Sequence, residues 1–415
     1  MKRIVIYIIP WFFLLLFDYS SGEGSYYLSA PNSKRVYLGL ENFIDNYALE
    51  YKGKRAVVVT NHSGVNFCLE RNIDLIRNKH IEIAFVLAPE HGIYGYQNEY
   101  AENMYNVDDR LNIIIYNLHH LNSKTLKHLL KIVEIVIFDI QDMGMRCYTY
   151  VSSLKLIIDT LDGSDIELII LDRPNPLGFL GVNGSDLEES FTSRHISAFP
   201  VPLLYNLTIG EAALYYKGEF NKNLKMRVVP LLGYKREMFF NETKLPWVPP
   251  SPNLPTYESS IVYSAMVLLE GINISLGRGT TKPFEYIGAP WIEPDSFCNG
   301  LKKLNLKNFR FRPIYFKPTF SKYMTERCGG VQIFYIGKSF DPSSVSYNII
   351  KYIRENYEEF EWESYKGFIN LDYLAGTDKF RKAIEDGKDF MTFLKDIRSG
   401  IEVFEKKRVK YFIYD

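Results

Sequence analysis

The sequence predicts an α/β protein in two parts: a doubly wound, Rossmann-like and mostly parallel sheet, followed by a second, smaller α+β domain. Short apolar runs alternate with helix-like segments through the first half of the chain, which is the pattern of βαβ units. The runs are aliphatic or aromatic at nearly every position, as expected for strands buried on both faces of a parallel sheet. The chain of 415 residues is also longer than one typical domain core.

Strands and helices of the first domain follow one another in regular order. Helices are predicted at residues 38–51, 69–79, 121–131, 151–161 and 208–220, and strands at 55–60, 81–88, 111–116, 132–140, 167–171 and 226–232. The segment 94–110 is rich in Tyr, Asn and Asp and is predicted to be a loop. The last of these helices has a capping box, because Thr208 stands at its N-cap and Glu211 follows three residues later.

A proline-rich segment ends the first domain. Residues 245–256 contain five prolines in twelve positions, so this segment is predicted to be extended and to be neither a helix nor a central strand. We place the first, Rossmann-like domain at residues 36–260 and the second at 261–415, where it completes a cleft with the first. In the second domain, strands are predicted at 311–320 and 331–336 and helices at 345–357 and 391–404.

The N-terminus has the pattern of a signal peptide over residues 1–22. Lys2 and Arg3 precede an apolar run at residues 4–17, and a polar stretch follows at 18–22. The run is short for a membrane span and contains Pro10, so we predict a secreted or periplasmic protein with no membrane span after cleavage of the signal. An uncleaved anchor is the alternative. The four cysteines show no metal-ligand spacing.

The bulk properties and absent motifs exclude several kinds of partner and cofactor. Lys+Arg and Asp+Glu balance at 49 each, which gives no reason to expect nucleic acid as a partner. The chain has no Walker loop, no G-x-G-x-x-G after its first strand and no G-x-S-x-G elbow, so no cofactor and no esterase site are predicted. His62 and His91 lack H-x-H or H-E-x-x-H spacing, and no metal is predicted.

Polar and titratable side chains follow four of the predicted strands of the first domain. A single cluster of this kind usually caps a turn or a helix. Carboxyl ends of parallel strands share one edge of the sheet, where open α/β folds bind ligands, so four clusters together predict a polar cleft. The candidate residues are Asn61, Glu90, His91, Asp139, Gln141, Asp142, Arg146, Tyr148, Asp172, Arg173 and Asn175.

The second half carries one more dense polar stretch. Gly277-Arg278-Gly279-Thr280-Thr281 resembles an anion-holding loop, with backbone amides and an arginine available to a carboxylate or phosphate. From this stretch we expect contributions to substrate binding from Glu270, Asn273, Arg278, Thr280, Thr281 and Glu285.

Glu90 is the candidate general acid. It follows a buried strand and Pro89, and partial desolvation favours the protonated form of a carboxyl group at such a position. A second carboxylate, from Asp139, Asp142 or Asp172, would act as base, nucleophile or orienting group, which is the two-carboxylate pattern of glycoside hydrolysis. His91 would bind the substrate or hold the loop.

Long motifs spread over most of the chain resemble the exo-β-N-acetylmuramidase family, formerly a domain of unknown function. They are the Ala-Pro-Glu-His-Gly run at 88–92, Phe-Asp-Ile-Gln-Asp-Met-Gly at 138–144 with Arg146 and Tyr-Thr-Tyr at 148–150, and the segments 171–178, 245–256, 270–291, 318–323 and 328–332. The resemblance implies a Rossmann-like glycosidase that releases N-acetylmuramic acid (MurNAc) from the non-reducing end of peptidoglycan fragments. The family's proposed catalytic glutamate falls on Glu90.

The chain departs from the family pattern at several positions. The family usually has an arginine where this chain has Tyr94, and an Arg-His/Tyr-Gly run where it has Leu204-Tyr205-Asn206. The glycine that usually ends the short strand near Tyr116 is missing as well. If those arginines hold the lactyl carboxylate of the sugar, its partners here are among Arg278, Arg146 and Lys282, and arginine is the better bidentate donor.

Three functions of different classes follow from these observations. The leading hypothesis is an exo-acting glycosidase whose partners are peptidoglycan-derived saccharides of MurNAc and N-acetylglucosamine (GlcNAc). The alternative is a non-catalytic protein of the same fold that binds peptidoglycan fragments. The third is a structural or partner-binding envelope protein, which would neither bind nor cleave these sugars.

Overall fold

A sheet of seven strands forms the centre of the first half of the protein. The computed structural model describes residues 35–97, 103–193 and 196–415, so the predicted signal peptide at 1–22 lies outside the described residues. The strands are β1 (Arg55–Thr60), β2 (Glu82–Ala88), β3 (Tyr105–Asp108), β4 (Ile113–Asn117), β5 (Ile135–Asp139), β6 (Glu167–Leu171) and β7 (Met226–Val229). Their order is β3-β4-β2-β1-β5-β6-β7, and every neighbouring pair is parallel except β3 and β4.

One helix precedes these strands and four helices connect them. They are α1 (Gly39–Asn46), α2 (Asn72–Asn78), α3 (Ser123–Leu129), α4 (Thr149–Leu161) and α5 (Ile209–Glu219). The chain moves from β1 through α2 to β2 in one direction, and from β5 through α4 to β6 in the other. Right-handed crossovers therefore place α2 and α4 on opposite faces of the sheet. The strand order reverses beside β1, where open sheets of this kind have their ligand crevice.

The second half contains a smaller antiparallel sheet surrounded by helices. Strands β8 (Tyr286–Ala289), β9 (Phe309–Phe316) and β10 (Cys328–Tyr335) pair in the order β8-β10-β9, and β11 (Ser364–Tyr365) pairs with β12 (Phe368–Ile369). The helices are α6 (Tyr257–Met266), α7 (Pro294–Lys303), α8 (Pro342–Asn356), α9 (Asn370–Ala375), α10 (Lys379–Glu385) and α11 (Phe390–Arg408). This arrangement confirms the predicted fold class.

One hydrophobic core runs through both halves. It includes Val58 of β1, Leu154 of α4, Ile350 of α8 and Phe393 of α11, each of them fully buried. Residues 35–415 accordingly form a single compact unit. Because the halves share this core, residues distant in sequence are held firmly against the carboxyl ends of the large sheet.

The C-terminal residues contact helix α5 and the loop that follows β7. The guanidinium of Arg236 makes a buried ion pair with Glu211 at 2.7 Å and also donates to the carbonyl of Tyr414. Glu211 is the residue predicted to complete the capping box of α5, and Thr208 is the N-cap. The capping box is confirmed, and its carboxylate additionally accepts from the backbone of Ile413.

The structure contains elements that the sequence pattern did not reveal. Strand β3 lies inside the segment that was predicted to be a loop. Its side chains are mostly exposed at the edge of the sheet and form no apolar run, so no strand pattern was visible in the sequence. Helix α6 is buried at every position except Glu258 and therefore lacks the period of an amphipathic helix. The short β8, α7, α9 and α10 were not predicted either.

Three features of the described residues concern the cysteines, metal ligands and membrane-spanning helices. All four cysteines are free, with Cys68 exposed and the others buried. No cluster of potential metal ligands occurs within 35–97, 103–193 and 196–415. Within the same ranges, no helix is long and apolar enough to cross a membrane.

Candidate active site

A cavity of about 150 Å³ lies between the carboxyl ends of the large sheet and the second half of the chain. It is lined by residues from seven regions: Glu90 and His91 after β2; Cys147, Tyr148 and Thr149 before and at the start of α4; Ile196; Ser251, Asn253 and Leu254 of the proline-rich segment; Tyr263, Val267 and Glu270 in and after α6; Arg278 and Phe284 before β8; and Leu374 of α9. Both halves of the chain thus contribute to one site.

Glu90 is held at the rim of this cavity by its own turn and by α4. The next residue, His91, has a φ of 71°, a left-handed conformation that non-glycine residues adopt rarely, and its Nδ1–H donates to the carbonyl of Gln97 at 2.7 Å. The hydroxyl of Thr149, at the first position of α4, donates to Oε2 of Glu90 at 2.6 Å. The turn and this hydrogen bond fix one carboxylate oxygen and leave the other, Oε1, without a hydrogen bond among the described residues.

The start of α4 is fixed from two further sides. The Tyr150 hydroxyl donates to the carbonyl of Pro250 at 2.6 Å, which ties α4 to the proline-rich segment. The side-chain amide of Asn61 donates to the same hydroxyl at 2.8 Å. Asn61 therefore supports the residue next to Thr149 and does not itself line the cavity.

Arg278 is the arginine that lines the cavity. Gly277 and Gly279 on either side have φ values of 67° and 76°, and a Cβ on Gly277 would come within 2.9 Å of the Lys282 carbonyl oxygen. The guanidinium pairs with the Glu270 carboxylate and lies 4.9 Å from the centre of the Phe284 ring. Burial alone would lower the pKa of Arg278, but the Glu270 carboxylate outweighs that effect and raises the pKa above its ordinary value.

A second and larger hollow, of about 510 Å³, meets the cavity at Glu90. We call it the groove. Glu90 and Thr149 line both spaces. The other residues that line the groove are Leu118, His119, Asn122, Ser123, Ser152, Ser153, Lys155, Leu156, Asp159, Thr192, Ser193 and Ala198. Glu90 consequently lies where the small cavity and the larger groove meet.

Several cavity residues were missed by the sequence analysis. Thr149 and Tyr263 lie on helices where nothing in their spacing marked them as functional. Asn253 is 3% exposed, and its Nδ2 has no hydrogen-bond partner within the described residues. A buried amide donor without a partner is costly, so its position on the cavity wall is a reason to expect a ligand acceptor there. Its place between two prolines in a rigid extended segment was the available signal.

Asp139 does not line the cavity or the groove. It is fully buried, and both of its oxygens accept from Arg173, at 2.6 and 3.0 Å. Asn72 donates to it as well, at 2.8 Å. The predicted site residues Asp139 and Arg173 therefore pair with each other in the interior at the edge of the sheet. Their side chains do not face the cavity.

Asp142 and Asp172 are also buried away from the cavity. Asp142 accepts from the backbone of Gly144 at 2.7 Å and from the hydroxyl of Tyr205. Asp172 accepts from Tyr414 at 2.7 Å and from the amide of Gly210 at 2.9 Å. Burial raises the pKa of each carboxyl to about 6, although these hydrogen bonds act in the opposite direction.

Three further candidates from the first half have their side chains bound to backbone groups. Arg146 is fully buried and donates to the carbonyls of Ser185, Val201 and Leu374, and burial lowers its pKa to about 10. The side chains of Gln141 and Asn175 likewise bind backbone carbonyls. These residues hold loops together at the sheet edge, whereas Tyr148 reaches the cavity wall.

The polar stretch of the second half likewise contains both residues that line the cavity and residues that do not. Glu270 and Arg278 line the cavity, and Asn273, Thr280, Thr281 and Glu285 do not. The Thr280 hydroxyl donates to the Gly277 carbonyl within the loop, and Glu285 pairs with Lys282. Two backbone amides of this stretch, those of Thr280 and Lys282, bond inside the loop. Of the cations named as carboxylate partners, Arg278 is the one whose side chain lines the cavity.

The departures from the family pattern lie outside the cavity. The hydroxyl of Tyr94 donates to Asp108 at 2.6 Å, beside β3. Asn206 has a φ of 48°, a conformation that glycine adopts freely and asparagine tolerates, and Arg408 donates to its side chain at 2.6 Å. A cation from the C-terminal helix is therefore present at the segment that lacks the family's arginine.

Comparisons with known proteins identify relatives of this chain. The N-terminal model of the exo-β-N-acetylmuramidase NamZ family matches residues 56–258, and the C-terminal model matches residues 261–414. Two crystal structures of DUF1343 family proteins from Bacteroides fragilis NCTC 9343 are similar. BF0371 has a TM-score of 0.81 with 28% identity and covers 92% of this chain and 100% of that one. BF0379 has a TM-score of 0.70 with 26% identity and covers 92% and 99%.

A curated relative extends this similarity over nearly the whole sequence. The chain is 37% identical over 396 residues to the peptidoglycan β-N-acetylmuramidase NamZ of Bacillus subtilis (strain 168), which covers 93% of this chain and 95% of the relative. Identity of this extent, together with matches to both family models, is a property of common descent and not of the sheet architecture alone. The chain belongs to the exo-β-N-acetylmuramidase NamZ family.

Proposed function

We propose that the protein is an exo-acting glycoside hydrolase that releases N-acetylmuramic acid from the non-reducing end of peptidoglycan fragments. Its family and the name of its Bacillus relative support a glycosidase that acts on peptidoglycan. The observation that carries the finer proposal is the position of Glu90, a carboxyl group that lines both the small cavity and the larger groove. A bond cleaved beside Glu90 would have its terminal sugar on one side and its leaving group on the other.

Glu90 acts as the general acid in this proposal. Thr149 holds Oε2, and Oε1 carries the proton toward the oxygen of the glycosidic bond. As the bond between the anomeric carbon and that oxygen breaks, the oxygen takes the proton and leaves as a hydroxyl of the next sugar. If the 2-acetamido oxygen has displaced the leaving group, the ionised Glu90 accepts a proton from the water that then attacks the anomeric carbon and so returns to its starting state; if Glu270 takes the proton of the water, Glu90 regains its own proton from solvent.

The cavity has features that suit a terminal N-acetylmuramic acid. Its volume of about 150 Å³ is smaller than that of the pockets which enclose drug-sized ligands, so it suits one terminal sugar and favours exo action. Arg278 can form a bidentate pair with the lactyl carboxylate. Tyr148, Tyr263 and Phe284 offer apolar ring surfaces to the faces of the sugar. The unpartnered amide of Asn253 can donate to its acetamido carbonyl.

The second catalytic group is either Glu270 or the substrate itself. Glu270 is the other carboxylate on the cavity wall, and it becomes available when Arg278 turns from it to the sugar. If Glu270 activates water directly, the first-formed product has the inverted anomeric configuration. If the 2-acetamido oxygen attacks first, the configuration is retained. NMR of the first-formed anomer distinguishes the two routes.

Hydrolysis of a β-linked MurNAc-GlcNAc disaccharide tests the proposal. The purified protein should yield free MurNAc and GlcNAc by mass spectrometry, and Glu90→Gln should abolish most of this activity. Glu358→Gln, an exposed glutamate outside both spaces, is the matched control and should behave as the parent. Calorimetric binding of the disaccharide with no product, identical in parent and Glu90→Gln, would instead establish a non-catalytic binding protein.

The proposed place of action is outside the cytoplasmic membrane, in the medium or the periplasm. Support comes from the basic, apolar and polar order of residues 1–22. N-terminal sequencing of exported protein should begin shortly after residue 22, and an intact N-terminus on membrane-bound protein would contradict cleavage.

A further inference from the structure

The groove runs outward from Glu90 along one face of α4. Thr149, Ser152, Ser153 and Leu156 line it at helical spacing, and Asp159 lies at its far end. The helix rises about 1.5 Å per residue, so the floor from Thr149 to Asp159 is roughly 15 Å long. Together with the volume of about 510 Å³, this length accommodates more than one sugar ring beyond the bond that Glu90 cleaves.

The chemistry of the groove suits a polar, hydroxyl-rich chain. Serine and threonine hydroxyls and an asparagine amide make up much of its lining. Ser152 is 6% exposed, and its Oγ has no hydrogen-bond partner within the described ranges of the chain. A buried hydroxyl without a partner is unfavourable unless a ligand or water satisfies it, so this atom marks a place for a polar ligand group.

Lys155 is the lysine of this lining. Its Nζ donates to Asp159 at 2.6 Å, and Asp159 is also paired with Lys222 at 2.8 Å and bound by the Tyr216 hydroxyl at 2.9 Å. Lys222 shares the Asp159 carboxylate with Lys155 and also lies 3.4 Å from Asp162, and the remaining donors of the Lys155 ammonium can bind a further acceptor. Lys155 stands about 9 Å along the helix axis beyond Thr149, past the space for a first leaving sugar.

We infer that the groove binds the leaving side of a longer peptidoglycan glycan, and that Lys155 binds the lactyl carboxylate of the next muramic acid residue along it. This inference rests on the proposed function, since it assigns the terminal sugar to the cavity. Alternating glycans carry this carboxylate on every second sugar, which places it beyond the first leaving GlcNAc. The hydroxyl-rich lining favours the glycan itself over its stem peptide as the occupant.

Comparison of two substrates tests the inference. We expect kcat/KM for the first cleavage of MurNAc-GlcNAc-MurNAc-GlcNAc to exceed that for MurNAc-GlcNAc by about tenfold. Lys155→Met should reduce this ratio at least fivefold, and Lys155→Arg should restore most of it. Lys303→Met, an exposed lysine of α7, is the matched control and should leave the ratio unchanged.

A second variant keeps the test independent of the Lys155–Asp159 pair. Ser153→Tyr narrows the groove from a half-buried position and should also reduce the ratio of the two kcat/KM values, with thermal melting as the check on folding. Equal kcat/KM for disaccharide and tetrasaccharide would overturn the inference while the proposed function stands. An advantage seen only with a peptide-bearing tetrasaccharide would also overturn it, because the occupant would be the peptide. Absence of cleavage of both substrates would refute the proposed function itself.

Discussion

The role of Glu90 predicts that the cost of its replacement depends on the leaving group. Glutamine has nearly the same shape, and its carbonyl oxygen can still accept from Thr149, so Glu90→Gln removes the proton and little else. General acid catalysis contributes about 10²–10⁴-fold, which is about 3–5 kcal/mol of the barrier. We expect the variant to lose this factor on MurNAc-GlcNAc, whose leaving sugar needs the proton.

A chromogenic nitrophenyl β-muramide separates this role from others, because nitrophenolate leaves without protonation. Stopped-flow measurement of its first-turnover release should show a loss of less than tenfold in Glu90→Gln, even if later hydrolysis is slow. Glu358→Gln should match the parent on both substrates. An equally large loss of first-turnover rate on both substrates would refute the reasoning, since it would make Glu90 a nucleophile or a positioning group.

Three other residues give predictions of different kinds. Arg278→Met should lower kcat/KM for MurNAc-GlcNAc by about 10- to 100-fold through loss of a charged hydrogen bond, whereas the exposed Arg398→Met should have no effect. Burial raises the pKa of Asp142 from 3.8 to about 6, so the unfolded chain loses this proton first and the group destabilises the fold increasingly between about pH 4 and 6. In urea unfolding, the free energy of unfolding of Asp142→Asn should therefore rise relative to that of the parent by up to about 3 kcal/mol over that range. Gly277→Ala and Gly163→Ala both replace a glycine of positive φ, at a cost of about 1–2 kcal/mol each. Only the former also collides with neighbouring atoms, so it should lose more stability by urea unfolding and also lose activity.

Each of these expectations has an outcome that contradicts it. Equal activity of Arg278→Met on MurNAc-GlcNAc would remove Arg278 as the carboxylate partner. A stability difference between Asp142→Asn and the parent that is constant from pH 4 to 7 would mean that Asp142 is charged in the fold at low pH. Equal losses for the two glycine variants would show that the loop before Arg278 relaxes around a methyl group.

Most strands of the large sheet were accessible from sequence because they are buried on both faces. Residues 55–60 and 167–171 were placed with the bounds that the structure has, since an apolar run flanked by polar residues leaves few alternatives. Elements without such a contrast were missed. The exposed edge strand β3 and the almost fully buried helix α6 lack an apolar-to-polar alternation, so neither has a period to detect.

The candidate site was predicted unevenly, for a related reason. A polar residue after a parallel strand is expected near the ligand edge, and this placed Glu90 among the candidates, whereas Arg278 was chosen because its loop resembles an anion-holding loop. The same argument cannot tell which side chains turn outward to a cavity and which turn inward to hold loops. Asp139, Asp172 and Arg146 turned inward, where they meet Arg173, Tyr414 and backbone carbonyls respectively.

By itself, the sequence determined the strand pattern, the fold class, the family and the acidic residue that follows β2. Local composition suffices for these, because burial on two faces and a proline-terminated strand are properties of short segments. The tertiary structure alone decided that Thr149 holds Glu90, that Asn253 and Tyr263 enter the cavity, and that the predicted second carboxylates lie in the interior. Those outcomes depend on contacts between segments more than fifty residues apart along the chain, such as the 2.6 Å hydrogen bond across a separation of 59 residues between Glu90 and Thr149, which no local pattern encodes.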